Sequence, residues 1–415
     1  FFYTLLLMNK SKSIFLAVLF LLFVQITKGL PQGFNYEESK VPNISLSNPL
    51  EGVSEKKQWP QKRSSLMKMV ENQMFGKAPK FDRKTLEVIN DTEDKVILND
   101  KVIMSQPLLS FAGCKLRLLI FRPKDINKPI PAFVGYNFNG NHTVHSESSI
   151  KITEEWVPRK KNNKASDKDR GSSSSRWDVE AITRQGYALI TSYCGEVDPD
   201  FHDNFNNGVH SNYSKPKPNE WGTISAWAWG LSRIMDYLEK DNSIDQSKVS
   251  VIGHSRLGKT SLWAGASDQR FALVISNNSG CGGAALSKRK FGETVKRINT
   301  SFPHWFCDNF KKYNDKEETL PFDQHVLMSL IAPRPLYIAS ASKDLWADPM
   351  GEFLSVRYAD PVYRMLTGEG LPQQKMPKVN TPIHGLIGYH LRDGKHDVTS
   401  YDWKNYILFA NKHLK

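Results

Sequence analysis

Apolar residues along this chain follow two rhythms that take turns. Short continuous runs at 131–136, 187–193, 249–252, 271–277, 332–341 and 387–391 are rich in Val, Ile, Leu, Ala and Tyr, as strands buried on both faces are. Between them lie segments at 59–75, 178–185, 224–240, 260–266 and 401–414 whose apolar positions recur at helical spacing, which predicts helices. Gly76 ends the first of these, and Trp227 and Trp229 in the third are expected in the core. Three stretches ahead of the first buried run, 85–90, 95–104 and 115–122, read as antiparallel strands. Strand and helix in alternation predict a mostly parallel sheet with right-handed crossovers and a helical layer on each face, a three-layer α/β sandwich. The pattern runs from 59 to 415 without an internal repeat or linker, so a single domain is expected. A polar arm over 30–58, rich in Pro, Asn, Ser and Glu, precedes it.

The N-terminus has its own pattern. Met8-Asn9-Lys10-Ser11-Lys12 precedes an apolar run over 14–26, and Thr27-Lys28-Gly29 follows. A basic segment, an apolar segment and small residues in that order predict a signal peptide over 1–29, with 1–7 an over-extended start. The run is short for a membrane span, and no cysteine follows it to take a lipid. A secreted or periplasmic monomer without stable membrane insertion is expected. The chain has a formal net charge of +13; residues 1–29 hold three lysines and no acid, so the rest keeps +10. A basic surface favours acidic partners such as anionic glycans. Export and the lack of any nucleic-acid-binding module argue against nucleic acid.

A basic low-complexity insertion at 158–175 is expected to be a solvated loop, free to overhang the site. Cys114, Cys194, Cys281 and Cys307 allow up to two disulfides in three pairings. No Cys or His spacing matches a zinc site, so neither metal nor cofactor is predicted.

The candidate chemistry centres on Gly253-His254-Ser255-Arg256-Leu257-Gly258-Lys259. It follows a strand pattern and opens a helix, so the serine sits at a sharp turn with free helix N–H groups behind it. The second glycine falls one residue later than in the common G-x-S-x-G elbow, and a helix-capping serine is the plainer reading of the same stretch. Two later loops supply partners: Asp344 after the 332–341 strand and His396 after the last strand. Ser, acid, His is the chain order of α/β-hydrolases, and a neutral serine needs a base that is itself oriented by a carboxylate. Asp348 competes with Asp344 as the acid, although before Pro349 it also suits an Asx-type turn. His390 is set aside because it lies inside a strand pattern. The loop from Asn137 to Thr143 is a candidate source of one oxyanion N–H.

These segments, with Ser279-Gly280-Cys281-Gly282-Gly283, Phe302-Pro303-His304-Trp305-Phe306, Leu330 to Pro335 and Trp346-Ala347-Asp348-Pro349, resemble the bacterial glucuronoyl esterases of carbohydrate esterase family 15. The resemblance runs from about residue 37 to the end. It implies an α/β-hydrolase fold and metal-independent cleavage of esters between 4-O-methyl-glucuronic acid on xylan and lignin alcohols. It further implies Ser255 as nucleophile, His396 as base and Arg256 as oxyanion stabiliser. Lys259, Glu293 and Trp346 would be ligands of the glucuronate hydroxyls, with His304 also on the substrate side. Where many members carry a glutamate as the triad acid, this chain has Asn278, which shifts that role to Asp344. The cysteines that fungal relatives place beside the nucleophile and the base are His254 and Asp397 here.

Overall fold

The computed structural model describes residues 31–415; the expected signal peptide lies outside the described residues. Its strands are β1 (Glu87–Ile89), β2 (Lys95–Ile97), β3 (Val102–Ser105), β4 (Leu108–Phe111), β5 (Cys114–Arg117), β6 (Leu119–Pro123) and β7 (Ile130–Asn137). These are followed by β8 (Ala188–Tyr193), β9 (Ile244–His254), β10 (Leu273–Asn277), β11 (Leu336–Ala341), β12 (Ile383–His384) and β13 (Ile387–Arg392). The helices are α1 (Trp59–Val70), α2 (Val179–Arg184), α3 (Thr223–Leu238), α4 (Arg256–Ser267), α5 (Val295–Ser301), α6 (Gln324–Ser329), α7 (Pro349–Thr367) and α8 (Ser400–Leu414).

Ten strands form one sheet in the order β12-β13-β11-β10-β9-β7-β8-β6-β3-β2, and β1-β4-β5 form a small second one. From β13 to β8 every neighbour is parallel; the outer strands are antiparallel. The parallel strands read as unbroken apolar runs because successive side chains serve two different cores. Val134, Val251, Val274 and Ile338 join one cluster, with the helices α1, α3, α4 and α7. Phe133, Ile252, Ile275 and Tyr337 join the other, beneath α2 and α8. This is the three-layer α/β-hydrolase arrangement. Trp227 and Trp403 are fully buried on opposite faces; truncating either to alanine would cost about 3–5 kcal/mol.

The structure revises several local expectations. The stretch 95–104 is not one strand but the hairpin β2–β3, turned through Leu98, Asn99 and Asp100, all at positive φ. Likewise 115–122 divides into β5 and β6, which belong to different sheets. The first helix continues from α1 as a single wide turn over Glu71–Phe75 before Gly76. The 19-residue α7 has no counterpart among the expected helices. All four cysteines are buried free thiols, so neither permitted disulfide forms. None of the described helices is long and apolar enough to cross a membrane. The 158–175 insertion is pinned rather than loose: Gly171 N donates to His142 O and Ser173 N to Thr143 O, both at 2.8 Å.

The chain runs from β7 to β8 on one side and returns to β9 on the other side of β7. The order therefore reverses at β7 and β9, and the crevice beyond their carboxyl ends is where open α/β sheets place their sites.

Candidate active site

Ser255 leaves β9 at φ 57° and ψ −128° and is followed at once by α4. This is left-handed backbone that a non-glycine residue adopts at a cost, and it lifts the hydroxyl off the sheet edge. Two glycines make the turn possible. A Cβ at Gly253 would overlap the Leu257 carbonyl, and one at Gly258 would lie 2.9 Å from Ser276 Oγ and 3.0 Å from Ser279 Cβ. The late second glycine therefore lets α4 pack against the end of β10, while Leu257 in the usual position is buried. Because α4 starts at Arg256, its first N–H groups have no acceptor within the helix.

Behind the serine, His396 Nδ1 lies 2.6 Å from Asp344 Oδ2. The His396 ring packs at 4.5 Å on that of His254, the residue before Ser255. Two backbone bonds tie the acid loop to the base loop, Ser342 N to Arg392 O and Lys343 N to Gly394 O, both 2.9 Å. Asn278, at φ 47°, donates its amide to Asp344 Oδ2 at 2.8 Å. Asp348 is engaged elsewhere, capping α7 through Gly351 N at 2.9 Å and pairing with the buried Arg289 at 2.8 Å. His390 is buried in the sheet, between Asp402 Oδ1 at 2.8 Å and the Tyr337 hydroxyl at 3.0 Å. His254 Nδ1 meets Asn277 Oδ1 across 2.6 Å; burial first, then the neighbouring His396, pushes the ring's pKa well below the usual imidazole value.

The Arg256 guanidinium is held between the face of Phe138, 4.6 Å from the ring centre, and Asp200, at 2.7 Å. Lys259 is buried on α4 with its ammonium on Ser279 O. Burial lowers its pKa while Glu293 opposes the shift; conversely burial raises Glu293 while Lys259 opposes. Glu293 and Trp346 come from separate loops joined by Glu293 N donating to Trp346 O at 3.1 Å. Lys259 and Glu293 are thus coupled through their charges, and Glu293 and Trp346 through that backbone bond. His304 precedes Trp305, whose ring centre is 5.9 Å from Lys259 Nζ. His304 is buried, with Nε2 3.1 Å from Asp200 Oδ1. Beside His254, an apolar recess of about 30 Å³ is lined by Phe138, Trp177, His254, Val398 and Trp403 among others. No three His, Cys, Asp or Glu side chains among the described residues are arranged to hold a metal ion.

Comparison with known proteins fixes the family. The chain is 51% identical over 405 residues to carbohydrate esterase MZ0003 of an unknown prokaryotic organism, covering 92% of this chain and 93% of that one. It belongs to carbohydrate esterase family 15, the glucuronoyl esterases. A promiscuous family 15 esterase from a marine bacterial metagenome is 50% identical and superposes with a TM-score of 0.85 over 92% of this chain and all of that one. The glucuronoyl esterase of Solibacter usitatus is 40% identical, with a TM-score of 0.86 over 91% of this chain and all of that one. A family model for fungal glucuronyl esterases matches residues 180–367.

Two residues that support this esterase's site escaped the sequence reading. Asp200 accepts from Trp305 Nε1 at 2.7 Å besides facing Arg256 and His304. Burial raises its carboxyl, but Arg256 and the bonds from His304 and Trp305 outweigh that and hold it below the usual carboxylate range. Arg392 is buried at the end of β13, with Nη2 donating to Lys395 O at 2.7 Å and Asp397 O at 2.6 Å, so it shapes the loop that presents His396. Gly394 in that loop has φ 127°, and a Cβ there would meet Arg392 Nη1.

Proposed function

We propose that this carboxylic ester hydrolase cleaves esters of 4-O-methyl-glucuronic acid carried by glucuronoxylan, releasing lignin alcohols, through an acyl-enzyme on Ser255. The observation that carries the reading is the 2.6 Å contact between Asp344 and His396 in the loops behind Ser255. His396 Nε2 takes the serine proton as Oγ attacks the ester carbonyl carbon, and Asp344 stabilises the imidazolium that forms. The carbonyl oxygen becomes an oxyanion facing the start of α4 and the Arg256 guanidinium; one such donor is worth about 3–4 kcal/mol of barrier. Collapse breaks the carbon–oxygen bond to the alcohol, which leaves with the proton from His396. Water then adds to the acyl-enzyme with His396 as base, and the free uronic acid departs.

The sugar lies against Lys259, Glu293 and Trp346, whose ammonium, carboxyl and indole suit hydroxyl groups and a sugar face. The leaving alcohol must face the base that protonates it, which puts it on the side of the apolar recess. Fungal relatives such as one from Phanerochaete chrysosporium, 40% identical over 34% of this chain and 32% of that one, are named 4-O-methyl-glucuronoyl methylesterases. Secretion rests on the signal-peptide pattern of residues 1–29.

The test is hydrolysis of benzyl glucuronate and of acetylated xylan by the wild type and Ser255→Ala. Rapid cleavage of the glucuronate ester that vanishes in Ser255→Ala is expected. Full turnover by Ser255→Ala would sink the mechanism, and a preference for acetyl esters would sink the substrate.

A further inference from the structure

The polar arm does not simply wrap the surface. Phe34 sets its ring edge-on to the Trp346 indole, with centroids 4.9 Å apart and planes at 88°. The next residue accepts a backbone bond, Gly292 N to Asn35 O at 2.8 Å, immediately before Glu293. Tyr36 then packs edge-on to Phe291 at 6.2 Å, and burial together with the Glu293 charge pushes its hydroxyl up to about 12. Further along, Glu38 pairs with Arg289 at 2.7 Å, the same guanidinium that holds Asp348 at the start of α7. Ser45 O accepts from Lys288 Nζ at 3.2 Å, and Ser47 O lies 2.7 Å from His325 Nε2.

Three consecutive arm residues therefore touch the two loops that carry Glu293 and Trp346. Those loops also meet through the backbone bond from Glu293 N to Trp346 O and, further from the indole, the Arg289–Asp348 pair. An indole on a short loop is free to swing about its own side-chain torsions unless something fills the space beside it. Phe34 is half-buried and fills it.

We propose that Phe34-Asn35-Tyr36 is a positioning element of the sugar subsite, in which Phe34 orients the Trp346 indole and Asn35 fixes the loop presenting Glu293. The inference rests on the reading that Lys259, Glu293 and Trp346 bind the uronate. The ring contact of Phe34 is with Trp346 and not with the rings of His396 or His254, so its effect falls on binding and leaves acyl transfer alone.

The experiment is steady-state kinetics of the full chain and of Phe34→Ala and Phe34→Tyr on methyl glucuronate and on p-nitrophenyl acetate, which lacks a sugar. Phe34→Ala is expected to raise KM for the glucuronate roughly threefold to tenfold, the range an edge-to-face aromatic pair supports. It leaves kcat and the acetate rate unchanged, and Phe34→Tyr restores KM. In a Trp346→Ala background, Phe34→Ala has no further effect on KM. An unaltered KM in Phe34→Ala overturns the proposal. So does an equal loss on both esters with a lowered melting temperature, which is the signature of a purely structural arm. A wild type that does not favour glucuronate over acetate instead refutes the substrate reading, and the proposal falls with it.

Discussion

Asn278 donates its side-chain amide to Asp344 Oδ2 at 2.8 Å, the oxygen that also faces His396 Nδ1 at 2.6 Å. A carboxylate at position 278 would face Asp344 as a like charge, and such pairs share a proton. The neutral amide leaves Asp344 as the one carboxylate behind the base and satisfies part of its buried surface. Asp344→Asn is expected to lower kcat on glucuronate esters by roughly 10³–10⁴-fold, as removal of an orienting carboxylate does. Asn278→Ala, which deletes only the supporting donor, lowers it about tenfold. Equal losses in the two variants would show that the charge on Asp344 adds nothing beyond the bond it shares with Asn278.

Asp348 is the rival acid, and its contacts predict a different phenotype. It caps α7 and pairs with the buried Arg289. Removing it leaves the buried Arg289 guanidinium with only the exposed Glu38 as partner, and breaking a buried pair costs about 3–5 kcal/mol. Asp348→Ala should lower the urea midpoint sharply while the folded fraction retains wild-type kcat. Activity lost at an unchanged midpoint would return Asp348 to the catalytic set.

Asp200 gives a third prediction. It gathers Arg256, His304 and Trp305 at one carboxyl. Asp200→Asn keeps the shape but removes the charge that aims the guanidinium, so kcat should fall about 10- to 100-fold with little change in KM. A rise in KM at constant kcat would place Arg256 in ground-state binding.

Legibility followed locality. The elbow could be read because strand, turn glycines and helix are contiguous around Ser255. The parallel strands could be read because two buried faces demand unbroken apolar runs. Asp200 and Arg392 could not, since their partners lie 56 and more positions away or are backbone carbonyls that carry no sequence signal. The β2–β3 hairpin was hidden because its turn, Leu98-Asn99-Asp100, lacks glycine yet takes positive φ at all three positions. Helix α7 was hidden by Pro361, which reads as a breaker but sits inside it. The arm's role was invisible for the same reason as Asp200: Phe34 and Trp346 meet only in the folded chain.

The last prediction concerns pH. Glu352 on α7 is completely buried beneath the site, with Oε1 accepting from Gly280 N at 2.9 Å and the Ser340 hydroxyl 2.5 Å from Oε2. Burial, against the pull of those bonds, raises its carboxyl from the ordinary 4.5 to about 8. Between those values the unfolded chain has lost the proton while the folded chain keeps it. The folded state therefore binds more protons, and stability falls as pH rises through the window. Below the window both states are protonated, and above it both are ionised, so the contribution is flat at either end. Glu352→Gln keeps a donor and an acceptor in place and has no proton to lose. Urea unfolding of the two proteins between about pH 5 and pH 8 should show the variant gaining on the wild type as pH increases. Parallel curves would mean that Glu352 is ionised in the fold throughout that range, its charge carried by the Gly280 amide and the Ser340 hydroxyl.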